Sequence, residues 1–169
     1  VVMLITMIPS FTISSFAATS GNFQYLVLED GTASIRKYTG LETDLEIPSE
    51  IDGYTVTAIE REAFTNCTSL ESIIIPDSVK IIGMYVFSSC TSLTSITLPD
   101  SVTSIGPGAF NNTGYYNDES NWHDGVLYID NYLIEAKENI EVCHIKQGTK
   151  VIADDALEFT SLTSITIPD

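Results

Sequence analysis

Three cysteines and two histidines are the side chains in these 169 residues best suited to nucleophilic or metal chemistry. Cys67 and Cys90 lie 23 residues apart inside matching words, Cys67-Thr-Ser-Leu70 and Cys90-Thr-Ser-Leu93. If those words stack as neighbouring layers, the two thiols stand about 5 Å apart, a distance a disulfide can bridge. Their side chains would then point in parallel, which disfavours the bond and favours buried free thiols behaving as small hydrophobes. Cys143 has no such partner, and neither His123 nor His144 occupies a position from which it could activate a thiol. No group has zinc-site spacing. The carboxylates are scattered at turns, as at Asp77, Asp100, Asp118-Glu119, Asp124 and Asp154-Asp155. No D-x-D-x-D-G loop is present, which excludes an EF-hand, and G-x-S-x-G, H-E-x-x-H, P-loop and G-x-G-x-x-G words are absent too. A carboxylate pair for glycoside hydrolysis would need a deep pocket, which short regular repeats do not supply. The expectation is a protein that is not an enzyme and carries no cofactor and no metal.

Charge narrows the partners further. Asp and Glu number 23 against 7 Lys and Arg, a formal net charge of −16. Such a surface repels phosphate backbones and anionic lipid, so neither nucleic acid nor a membrane surface is an expected partner. Neutral or basic protein surfaces are favoured. With 44% hydrophobic and only 18% charged residues, the chain can bury a real core.

The elements that would position any site are set by an internal repeat. Cys67–Phe87 (CTSLESIIIPDSVKIIGMYVF) and Cys90–Phe110 (CTSLTSITLPDSVTSIGPGAF) agree at 13 of 21 positions without a gap. Phe64, Phe87 and Phe110 recur at the same 23-residue interval, and Thr160–Asp169 differs from Thr91–Asp100 only at Ile167. Within each unit, Leu93-x-x-Ile96-x-Leu98 alternates at its end, the mark of a strand with one buried face. Pro48, Pro76, Pro99 and Pro168 stop that strand, since proline offers no N–H to a ladder. Val102 and Ile105 form a second apolar pair across the coil, and Ala109-Phe110 closes it. One such coil buries too little to offset the entropy of ordering its backbone, so coils must stack and share their hydrogen bonds. The predicted fold is a β-rich solenoid with 23-residue coils.

The spacing L-x-x-I-x-L within such a period is the leucine-rich-repeat pattern. The wording CTSLTSITLPDSVTSIGPGAF closely resembles the repeat of the BspA-type bacterial leucine-rich-repeat surface proteins, over roughly residues 22–169. That resemblance implies a curved solenoid at the cell surface, often followed by further modules. It also implies adhesive roles, including binding of fibronectin and fibrinogen.

Departures from the regular coil suggest the boundaries. Phe23–Glu29 and Thr32–Tyr38 flank Asp30-Gly31, a strong hairpin turn, and are expected to cap the first coil over residues 19–40. The solenoid then spans 41–169, lengthened in its first repeat by the turn Ile51-Asp52-Gly53-Tyr54. It is interrupted at 111–139 by an insertion whose Gly125–Asp130 and Asn131–Ala136 read as a second hairpin. The insertion carries Tyr115, Tyr116, Trp122, His123, Tyr128 and Tyr132. These rings could anchor a partner at an exposed tip or pack the insertion back on the convex side of the coils; the second reading is preferred, because a lone hairpin needs packing. The repeat resumes at Ile140-x-x-Cys143-x-Ile145 and stops in mid-coil, so more protein is expected beyond it.

At the other end, the apolar run Val1–Ile8 precedes the small residues Ser14-Ser15-Phe16-Ala17-Ala18. This is the layout of a signal peptide over 1–18, lacking its basic start, with cleavage after Ala17 or Ala18. The run is too short to span a bilayer. An exported, secreted or surface-attached bacterial protein is expected, with ligand contacts on the strands' unburied positions. By register these are Asp44, Glu46, Ser72, Ile74, Ser95, Thr97, Val142, His144, Ser164 and Thr166. They would face the concave side, where solenoids generally bind; equally, small polar side chains suit solubility and strand propensity. The expected function is a monomeric protein-binding module acting in adhesion. The alternative is a structural spacer or accessory domain bearing a further C-terminal anchor, docking or catalytic module.

Overall fold

The computed structural model describes residues 16–158 and 160–168. The apolar run read as an export signal lies outside them. The first three strands are β1 (Phe16–Ser20), β2 (Phe23–Val27) and β3 (Ala33–Tyr38), joined antiparallel in sequence order. Gly31, at φ +81°, supplies the left-handed conformation that closes the β2–β3 turn. Ala17 and Ala18, the expected points of cleavage, lie in the outer strand of this sheet.

Each regular coil then carries two short strands joined by turns. The first positions give β4 (Asp44–Glu46), and after it β5 (Glu50–Ile51) and β6 (Tyr54–Ile59) form the lengthened first repeat. The next coils supply β7 (Ser72–Ile74) with β8 (Ile81–Ile82), and β9 (Ser95–Thr97) with β10 (Ser104–Ile105). Parallel pairing links β4-β7-β9 into one three-stranded sheet, while β6-β8-β10 continues from β3 in another. The prolines do what their chemistry dictates: the Pro76 and Pro99 carbonyls accept from the Val79 and Val102 amides, turning the chain.

Two corners in each of three successive coils are turned by left-handed residues, whatever their type. Glu62, Tyr85 and Gly108 repeat at φ +60°, +55° and +61°, and Asn66, Ser89 and Asn112 at +64°, +63° and +57°. Between them sits the deepest part of the core. Phe64, Phe87 and Phe110 have no exposed surface, and their rings follow one another at centroid spacings of 5.2 and 5.4 Å. Leu70 with Leu93, and Ile82 with Ile105, recur at their own interior positions at 1% exposure or less. Gly83 and Gly106 lie where successive coils touch: a Cβ on Gly106 would stand 2.6 Å from the Met84 amide nitrogen.

After Phe110 come a helical turn α1 (Gly114–Asn117), capped by the Thr113 hydroxyl, and a 3₁₀ turn over Glu119–Asn121. Then follow β11 (Trp122–His123), β12 (Val126–Ile129) and β13 (Tyr132–Ala136) in antiparallel order, the last turn made by Asp130 at φ +51°. The repeat resumes with β14 (Val142–His144), β15 (Val151–Ile152) and β16 (Ser164–Thr166).

The inserted hairpin is not an appendage on the outside of the coils. Strand β13 pairs parallel with β15, as β3 pairs with β6, and the Ala136 amide donates to Ala156 as the Tyr38 amide donates to Ala63. The two hairpins therefore hold equivalent places, each heading its own run of coils. Tyr132, 1% exposed, ties this second head to the coil beneath through a 2.6 Å hydrogen bond from its hydroxyl to the Pro99 carbonyl.

Candidate functional site

The strands' unburied positions form two rows, not one. In the first sheet Asp44, Ser72 and Ser95 stand in register, and Glu46, Ile74 and Thr97 form the parallel line beside them. Between the lines Leu45, Ile73 and Ile96 turn inward, as the two-residue period of a strand requires. In the second sheet Val142 faces Ser164 and His144 faces Thr166, with Cys143 buried between. No strand pairing joins β9 to β14; the insertion interrupts the row there. Residues 111–139 supply three strands of a separate four-stranded sheet, β11-β12-β13-β15, between the two rows.

Electrostatics differ along the first row. The Asp44 carboxylate accepts from the Ser72 hydroxyl at 2.5 Å and from the Thr43 hydroxyl at 3.0 Å. Those two donors hold its carboxyl below the usual carboxylate range. Ile74 and Val142, each 47% exposed, are the apolar members of otherwise polar rows.

Tertiary structure adds residues to the second row that spacing along the chain did not reveal. His123, Val126 and Tyr128 of the insertion line a groove of about 290 Å³ together with Val142, His144 and Lys146. Both histidines of the chain therefore share one groove. Lys146 occupies the coil position where the other repeats place proline, and the amide that proline would lack donates to the Tyr128 hydroxyl at 3.0 Å. The available sequence signal was that substitution itself.

The cysteines are free thiols. Cys90 donates from Sγ to the Phe64 carbonyl at 3.1 Å and is buried; the neighbouring Cys67 sulfur and burial push its thiol up. Cys67 is half-buried, and the neighbouring Cys90 thiol holds its own lower. Among the described residues, no group of three His, Cys, Asp or Glu side chains is placed to hold a metal ion. Nor is any described helix long and apolar enough to cross a membrane.

Comparisons with known proteins agree with this architecture. A structure of a leucine-rich-repeat protein from T. pallidum is 26% identical, with a TM-score of 0.62 over 89% of this chain and 71% of that one. A leucine-rich-repeat protein from Bacteroides capillosus, 21% identical, shares the fold at a TM-score of 0.55 over 90% of this chain and 99% of that one. One from Bacteroides ovatus, 24% identical, does so at 0.52 over 94% of this chain and 41% of that one. No protein of curated function matches the sequence. Such repeats generally mediate protein–protein interaction, and this fold is typically non-enzymatic. The BspA-type leucine-rich-repeat model matches six copies across residues 57–169, and with coils of that wording stacked as described, the chain belongs to the BspA-type leucine-rich-repeat family of bacterial surface and secreted proteins.

Proposed function

We propose that this chain is an extracellular adhesion module, which engages host or microbial proteins of the fibronectin and fibrinogen kind through the outward faces of its two strand rows. The observation that carries this reading is the registered line Glu46, Ile74 and Thr97, three outward side chains on adjacent strands of a stack whose interior is closely filled. Such a row is pre-organised: binding to it loses little backbone entropy, which is the main cost a flexible loop would incur. Ile74 supplies an apolar contact amid small polar groups, and the acidic surroundings favour a neutral or basic partner.

The test is binding of the purified protein to immobilised fibronectin and fibrinogen at physiological salt. Changing Ile74, Thr97 and His144 together to lysine should abolish saturable binding while leaving thermal unfolding nearly unchanged, since all three side chains are exposed. Undiminished affinity in that variant would overturn the assignment of the surface.

A further inference from the structure

A cleft of about 500 Å³ is lined entirely by the insertion and includes no residue of the strand rows. Its wall is aromatic. Tyr116 and Trp122 meet edge to face at 5.1 Å and 85°, and the Trp122 indole N–H donates to the Tyr116 carbonyl at 2.8 Å, which fixes the ring. Around them stand three carboxylates, Glu119, Glu135 and Glu138, against one cation, Lys137. The Lys137 ammonium lies 5.1 Å from the Trp122 ring centroid and pairs with Glu119. This is cation–π recognition backed by a carboxylate, performed on the chain's own side chain.

The cleft is under-compensated even with Lys137 in it. Glu135 is half-buried, and its carboxylate makes no hydrogen bond or ion pair among the described residues. Burial alone pushes its carboxyl up. A partly desolvated carboxylate without a partner is costly, and a cation placed between it and the indole would relieve that cost.

We propose that this cleft binds a basic side chain, arginine or lysine, presented by a partner protein, with Trp122 as the aromatic face, Glu135 as the receiving carboxylate and Lys137 as the internal cation that the guest displaces. A guanidinium fits both demands, stacking on the ring and pairing with the carboxylate. The site lies apart from the strand rows, so its test and theirs fail separately.

Trp122 is the single tryptophan of the chain, so its fluorescence reports on this cleft alone. The experiment titrates the protein with capped Gly-Arg-Gly, Gly-Lys-Gly and Gly-Gln-Gly peptides, and with methyl glucoside as a neutral sugar. Saturable change with a basic peptide and none with the glutamine peptide is expected. Glu135→Gln should weaken binding about fivefold and Lys137→Met should tighten it by a similar factor, each removing or freeing one contact of this strength. Glu50→Gln, an exposed carboxylate on β5, should leave affinity unchanged. Emission unmoved by both basic peptides, an equal response to the glutamine peptide, a response to the sugar alone, or equal weakening by Glu50→Gln would overturn the proposal.

Discussion

Tyr38, the last residue of the N-terminal hairpin, stacks on Phe64 of the first coil with ring centroids 5.1 Å apart and planes 25° from parallel. Phe23 meets Tyr38 at the same 5.1 Å on the other side. The hairpin thus continues a ring ladder that runs on through Phe87 to Phe110. Its strand hydrogen bonds and its aromatic stack both address the same first coil, which is how a head element covers an end that the repeat alone would leave exposed.

The ladder predicts graded losses. Phe87→Ala removes a fully buried ring with neighbours on both sides and should cost about 3–5 kcal/mol in urea unfolding. Tyr38→Phe keeps the stack and gives up only the hydroxyl bond to Glu42, so its cost should stay at or below about 1 kcal/mol. Similar costs for the two variants would show that the rings do not stack as described.

Close approach of the coils at Gly106 is a second checkable point. Its φ is not left-handed, so conformational freedom is not the reason for glycine there. The reason is contact: a methyl group would meet Met84 and Gly83 backbone atoms at 2.6 and 2.8 Å, and backbone cannot step aside as a flexible side chain can. Gly106→Ala should destabilise by about 1–3 kcal/mol. Gly31→Ala, with nothing within 4 Å of the added carbon, should lose only what its positive φ costs, about 1–2 kcal/mol.

Tyr132→Phe tests how the second head is held. Removing the hydroxyl takes one of two donors from the buried Pro99 carbonyl, which keeps the Val102 amide, at an expected cost of about 0.5–1.5 kcal/mol. Hydrogen exchange should then rise in β12 and β13 more than in β7 and β9. Uniform loss across the chain would mean the hairpin and the first coils open as one unit.

Two carboxylates should respond to pH with opposite sign. Burial raises Glu135 in the folded chain, so its charged form opposes folding at neutral pH and that penalty fades as pH falls through the raised value. Glu135→Gln should therefore raise Tm at pH 7, and the gain should vanish below about pH 4, where the carboxyl is neutral in both states. Asp44 is held low by Ser72 and Thr43, so its small stabilising contribution is present above the ordinary carboxylate range and is lost as pH falls through the lowered value. In Ser72→Ala the Asp44 carboxyl, followed by NMR titration, should move back up toward its ordinary value.

Much of this molecule is legible in its sequence because a repeat states the same local physics several times over. The recurrence of Phe64, Phe87 and Phe110, the strand-stopping prolines and the alternation around Ile96 determine by themselves that coils form, where each strand ends and which side chains go inward. The same register identifies Asp44, Ser72, Ser95 and their neighbours as outward positions, since a strand's faces follow from its period of two. What the sequence could not decide is how the non-repeating part joins the stack. Residues 111–139 have no copy to be aligned with, and a hairpin's own pattern does not say which edge it will pair with. Only the parallel pairing of β13 with β15, with Tyr132 anchored on Pro99, makes the insertion a second head, and only the packed chain lines one groove with both His123 and His144 and sets Lys137 over Trp122. Those contacts join side chains on different elements, and contacts of that kind are fixed by packing, not by spacing along the chain.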